Sequence, residues 1–112
     1  MSRVKEDLAH RVLANISNNS GEQLNAFDPS WIITILNFID QVRPWLEMCI
    51  GNGEELKRVA SRPNRLQRLL LYRRVSRTLG RSKSRLYARN MTNAVLEVAR
   101  NSTVEELNEV LR

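Results

Sequence analysis

Apolar residues in this chain recur at intervals of three and four along most of its length, and no stretch alternates apolar and polar residues as a half-buried strand would. That periodicity limits the fold to packed helices. Its clearest instance begins at Asp28-Pro29, a carboxylate N-cap followed by a proline at the first helical position, where a missing N–H costs nothing. A helix from Pro29 to Ile50 is predicted. At about 100° per residue, Trp31, Ile35, Phe38, Ile39, Val42, Trp45, Leu46 and Cys49 share one broad face, with Thr34, Asn37, Asp40, Arg43 and Glu47 opposite. Ile33 and Leu36 spill off that face, which predicts a central helix touched on more than one side. Pro44 lacks the N–H for its turn, so a kink or break is expected near Gln41 to Arg43.

The other segments follow the same logic. A first helix is predicted from about Ser2, its N-cap, to Ile16, with Val4, Leu8, Val12 and Ile16 in register and the turn-prone residues from Ser17 to Phe27 forming the longest loop. Gly51-Asn52-Gly53 closes the central helix. A short helix over Glu54–Ala60 places carboxylates first and Lys57 and Arg58 later, as the helix dipole favours. Ser61 or Asn64 restarts the chain as a helix to about Leu79, with Leu66, Leu69 and Leu70 on one side and Leu71, Val75 and Leu79 on another, so that its two ends are expected to meet different neighbours. Gly80 is the expected C-cap, and Ser82 caps a helix to about Arg100 whose inner face is Tyr87, Met91, Ala94, Val95 and Val98. A last helix opens on a capping box, Ser102-Thr103-Val104-Glu105, and presents Val104, Leu107 and Leu111. The expectation is an all-α, compact single domain over residues 1–112, of five to six helices, with the long central helix kinked near Pro44. Its 112 residues suit one core but not two.

Charge divides this domain unevenly. Residues 1–55 carry four Lys/Arg against eight Asp/Glu, while Lys57 to Arg89 hold twelve basic residues and no acidic one. The net charge of +6 therefore conceals an acidic N-terminal half, an Arg-rich segment over 56–96, and a short capping helix over 102–112. A cationic segment of this kind repels itself until something anionic answers it.

Enzymatic chemistry has few candidates. The single histidine, His10, lies near Asp7 on a face read as solvated, and a nucleophilic triad would have to recruit it. One Cys and one His far apart cannot supply a zinc site, and the carboxylate groups Glu54-Glu55 and Glu105-Glu106-Glu109 sit in first turns, where negative charge suits the dipole. No glycine-rich phosphate loop is present. No enzyme activity, metal, cofactor or small-molecule substrate is expected. Cys49, flanked by Met48 and Ile50, reads as a small buried thiol. The N-terminal residues lack the apolar run of a signal peptide, and Trp31 to Ile50 is interrupted by Asp40, Arg43, Pro44 and Glu47, whereas a spanning helix needs about 20 nearly uncharged residues. An intracellular location, or a virion if the source is viral, is expected. The Asn-x-Ser/Thr triplets at Asn15, Asn18, Asn90 and Asn101 would matter only in a secreted protein.

The Arg-rich segment carries the functional expectation. Arg74, Arg77, Arg81, Arg85 and Arg89 step by three or four, forming one ridge if the helix continues through Gly80 and two angled rows if it does not. Arginine outnumbers lysine ten to two between Lys57 and Arg89, a bias suited to bidentate recognition of phosphate or carboxylate. Val75, Ser76, Leu79, Gly80 and Leu86 stand where the helix-turn-helix pattern of DNA-binding proteins has an apolar residue, a small one, a Leu, the turn glycine and a packing residue. Residues 75–87 thus resemble that motif, with Arg81 and Arg89 departing from it. The resemblance implies that Ser82, Lys83, Ser84, Arg85, Tyr87 and Ala88 face the major groove, with Arg73, Arg74 and Arg77 toward phosphates. The leading expectation is a non-enzymatic helical protein contacting DNA or RNA phosphates through Arg73, Arg74, Arg77, Arg81, Lys83, Arg85 and Arg89. The rival is a structural or adaptor subunit of a larger assembly, a virion or similar complex, in which that face meets an acidic protein surface or another copy and Trp31 and Trp45 serve an interface. A membrane surface suits the segment less well, because it lacks one clean apolar face and both tryptophans lie in the acidic half.

Overall fold

The structure, a computed structural model, describes residues 3–20, 29–80 and 85–112. Among them the chain forms six helices and no strand: α1 (Arg3–Ser20), α2 (Pro29–Cys49), α3 (Gly53–Ser61), α4 (Arg65–Leu79), α5 (Arg85–Asn101) and α6 (Val104–Leu111). The all-α expectation holds. One core cluster joins them, and the radius of gyration of 12.9 Å is close to the roughly 13 Å of a compact domain this long.

The helix α1 lies against α2, α5 and α6, and its Leu8, Ala9, Val12, Leu13 and Ile16 are buried. It does not stop at Ile16 but runs on to Ser20. Ser and Asn cost a helix only about 0.5 kcal/mol each relative to Ala, so the anchoring of Ile16 in the core outweighs the turn preference of the residues after it. The caps expected at Ser2 and Asp28 lie outside the described residues.

The central helix α2 touches α1, α4 and α6, as its broad apolar face requires. Ile32, Ile35, Leu36, Phe38, Val42 and Leu46 are buried, whereas Ile33 projects into solvent. Pro44 sits inside the helix without breaking it. Cys49, expected in the core, is the last residue of α2 and is exposed.

The chain then reverses tightly. The Asn52 side chain accepts the Glu55 N–H at 3.0 Å to cap α3, and the Gly53 N–H donates to Asn108 Oδ1 at 2.7 Å, tying α3 to α6. The approach is so close that a Cβ on Gly53 would stand 2.7 Å from the Val104 carbonyl oxygen and 2.8 Å from the Asn108 nitrogen. Lys57 Nζ donates to the Arg100 and Ser102 carbonyls, so one of the twelve basic residues closes the C-terminal end of α5.

A capping box of Asn64 and Gln67 opens α4. At its far end Gly80, with φ 84°, takes a conformation that side chains disfavour, and its N–H bonds the Ser76 carbonyl at 3.1 Å. The helix therefore ends, and the single straight arginine ridge is excluded. The capping box of α6 is Thr103 with Glu106, one residue beyond the expected Ser102 and Glu105. Ser102 is fully buried, and its hydroxyl donates back to the Val98 carbonyl at 2.6 Å, so it finishes α5 and leaves the next residue to start α6.

Candidate anion-binding surface

The helix α4 is fixed by one side only. Leu71 and Val75 are buried and Leu79 is half-buried, set about one turn apart on the face that meets α5 and α2. The opposite side is open. At 100° per residue, Leu66, Leu70, Arg73 and Arg77 fall within about 60° of arc, forming a line that is apolar in its first half and cationic in its second. Leu66, Leu69 and Leu70 are 63%, 44% and 45% exposed, so the expected neighbour for this half of the helix is absent among the described residues.

The arginines of this region share an electrostatic condition. Arg62, Arg65, Arg68, Arg73, Arg77 and Arg89 are all exposed, and none makes an ion pair among the described residues. Most described cations elsewhere are answered: Lys5 by Asp40, Arg11 by Asp7 at 2.7 Å and Glu106 at 3.2 Å, Arg43 by Glu47, and Arg100 by Glu97. Arg58 pairs with Glu55 at 2.7 Å, and the shared hydrogen bond lowers the carboxyl pKa and raises that of the guanidinium. Arg74 differs again, being half-buried with its guanidinium 5.5 Å from the centre of the Trp45 ring.

The seven expected contact residues are therefore not equivalent. Arg73, Arg77 and Arg89 stand open to solvent, and Arg74 is held against Trp45. Arg81 and Lys83 lie outside the described residues. Arg85 begins α5, and its side chain is outside the description.

The helix-turn-helix reading meets a correction at the start of α5. Ala88, assigned to the major groove, is 3% exposed and belongs to the core. Tyr87 is half-buried, its ring 6.5 Å from that of Trp31, and burial raises the pKa of its hydroxyl. Of the six positions assigned to the groove, Tyr87 and Ala88 thus share the packed side of α5 with Met91 and Ala94, and the side chains of the other four lie outside the description. Arg89, which sits where the motif wants a packing residue, is exposed. The expected cap at Ser82 is outside the described residues.

The two tryptophans, expected at an interface, are also distinguished. Trp31 packs on the core beside Tyr87, while Trp45 walls a recess of about 290 Å³ between the end of α2, α3 and α4. Cys49 and Leu70 complete its walls, and Leu56, Leu71 and Leu96 lie among its lining. The spacing of α4 hinted at this recess, because its leucines fall on two sides. Which side is covered cannot be read from periodicity.

Among the described residues, no three His, Cys, Asp or Glu side chains gather as a metal site would require, and no helix is long and apolar enough to cross a membrane. Compared with known proteins, the chain matches no family model, no curated protein and no solved structure.

Proposed function

We propose that this protein binds nucleic acid through its phosphates, using the exposed arginines of α4 and the start of α5. One observation carries the reading: six arginines between Arg62 and Arg89 are solvent-exposed without an acidic partner among the described residues, while most described cations elsewhere are paired. A guanidinium offers forked donors that lose less freedom per hydrogen bond than a lysine ammonium does, and phosphate oxygens match that geometry. The inward placement of Tyr87 and Ala88 favours backbone contact over base reading.

With four to six phosphates neutralised on duplex DNA, log K should fall against log salt with a slope of roughly −3.6 to −5.4. Titrations of a generic duplex and a single strand between low and moderate salt test this. Replacing Arg73, Arg77 and Arg89 together by Glu is expected to abolish binding, whereas Arg3→Glu on the exposed start of α1 leaves it intact. Weak binding that does not change with salt would refute the reading.

A further inference from the structure

The recess between α2, α3 and α4 has a chemistry that phosphate contact leaves unused. All five large apolar side chains exposed among the described residues lie on α2 or α4, and of these Leu70 lines the recess. Trp45, Met48 and Cys49 follow one side of α2 at i, i+3 and i+4, and Leu66 and Leu70 follow α4 at i and i+4. Trp45, Cys49 and Leu70 line the recess, and Met48 and Leu66 continue their rows outside that lining. Glu55 and Arg58 are the ionised groups lining the recess, and they neutralise each other. Beyond the recess the charge is cationic, from Arg74 on the Trp45 ring and then Arg73 and Arg77 along α4.

We propose that this recess docks the apolar face of an acidic amphipathic helix from another protein. Apolar anchors spaced by three and four on such a helix would fill the space between the two rows, and its carboxylates would meet the arginines of α4. A phosphate backbone gains nothing from Met48, Leu66 or Leu70. A bilayer presents a broad plane and does not enter a concave site. The acidic helix α6 of a second copy has little apolar surface to offer while folded, because its Leu107 and Leu111 are 4% and 5% exposed and its Val104 and Val110 half-buried. The proposal does not depend on nucleic-acid binding, since the residues that define it are the apolar ones.

Cys49 is the chain's single cysteine; it is exposed and lines the recess, so its reaction rate with a thiol reagent reports occupancy directly. The probe is a synthetic helix of about eighteen residues, with leucines at i, i+3, i+4 and i+7 spacing and glutamates on the other face. A peptide of the same composition in scrambled order, anionic phosphatidylserine vesicles and a DNA duplex are tested in parallel. The periodic peptide should bind at least about tenfold more tightly than the scrambled one and should slow Cys49 modification at saturation. The duplex should leave the Cys49 rate unchanged. Leu66→Glu and Leu70→Glu, at positions open enough to accept a charge, should each weaken the peptide about tenfold while duplex binding persists. Met48→Glu, 76% exposed, serves as a third variant should either lose helicity. Equal binding of the two peptides, an unprotected Cys49 at saturating peptide, or protection by vesicles alone would each overturn the proposal. Loss of duplex binding in the Arg73, Arg77 and Arg89 variant bears only on the phosphate reading.

Discussion

The helix α1 and the helix α4 are of similar length and each packs one side on the core, yet they meet solvent differently. On α1, Lys5 reaches Asp40 of α2 and Arg11 reaches Glu106 of α6, so its polar side is stitched to two neighbours while its apolar side lies in the core. On α4, the polar side carries leucines among its arginines, and no arginine from Arg65 to Arg77 has a carboxylate partner among the described residues. The difference separates side chains that complete the fold from side chains the fold supports without using. Exposed ion pairs contribute only about 0–1 kcal/mol each, so the stitching of α1 matters more for orientation than for stability.

Several substitutions would break or sharpen this contrast. The largest expected effect is on the inward side of α1: Leu13→Ala, at a fully buried position, should cost about 2–5 kcal/mol in denaturant unfolding. A loss below 1 kcal/mol would mean that α1 is not the packed half of the comparison. Gly53→Ala comes next, at about 1–3 kcal/mol, because its Cβ would meet backbone atoms of α6 that cannot swing aside. Wild-type stability in that variant would place the α3 and α6 contact elsewhere.

A pH effect of intermediate size is expected at Glu106. Its carboxyl pKa is lowered, first by the hydrogen bond from the Thr103 backbone N–H and further by the Arg11 charge. A lowered folded-state pKa means that the ionised form favours folding. This contribution is fully present above the ordinary carboxylate pKa and disappears as pH falls through the depressed value. Glu106→Gln should therefore flatten the acid limb of a plot of Tm against pH, and an unchanged limb would count against the capping role. The smallest effect belongs to the open side of α4, where Leu66→Ala and Arg77→Gln should each change stability by about 0.5 kcal/mol or less. A larger loss at either residue would show that the outward face serves the fold after all.

Much of the framework was legible because helix starts and stops depend on local chemistry. The Pro29 start, the Asn64 option and the Gly80 stop each arise from hydrogen-bonding or dihedral preferences of one or two residues. The sequence signal at Ser102 was sound but displaced by one residue, because a buried hydroxyl bonded backward to Val98 competes with a forward cap. What periodicity could not supply was direction. Leu66 and Leu71 are equally apolar, and only the position of neighbouring helices decides that one is exposed and the other covered. Cys49 and Ala88 were misplaced for the same reason. The arginine set was legible as charge, but its lack of carboxylate partners is a property of the packed molecule.

The packing of α1 against α5 and α6 also has a consequence in time. A ribosome releases residues 3–20 well before residues 85–112, so the side of α1 that meets α5 and α6 stays uncovered until most of the chain has been made. Local pairs such as α4 with α5 can form early, but the core closes late, when distant segments meet. During that interval the half-made chain displays an apolar stripe beside a cationic one, and speed of closure becomes part of what this sequence must provide.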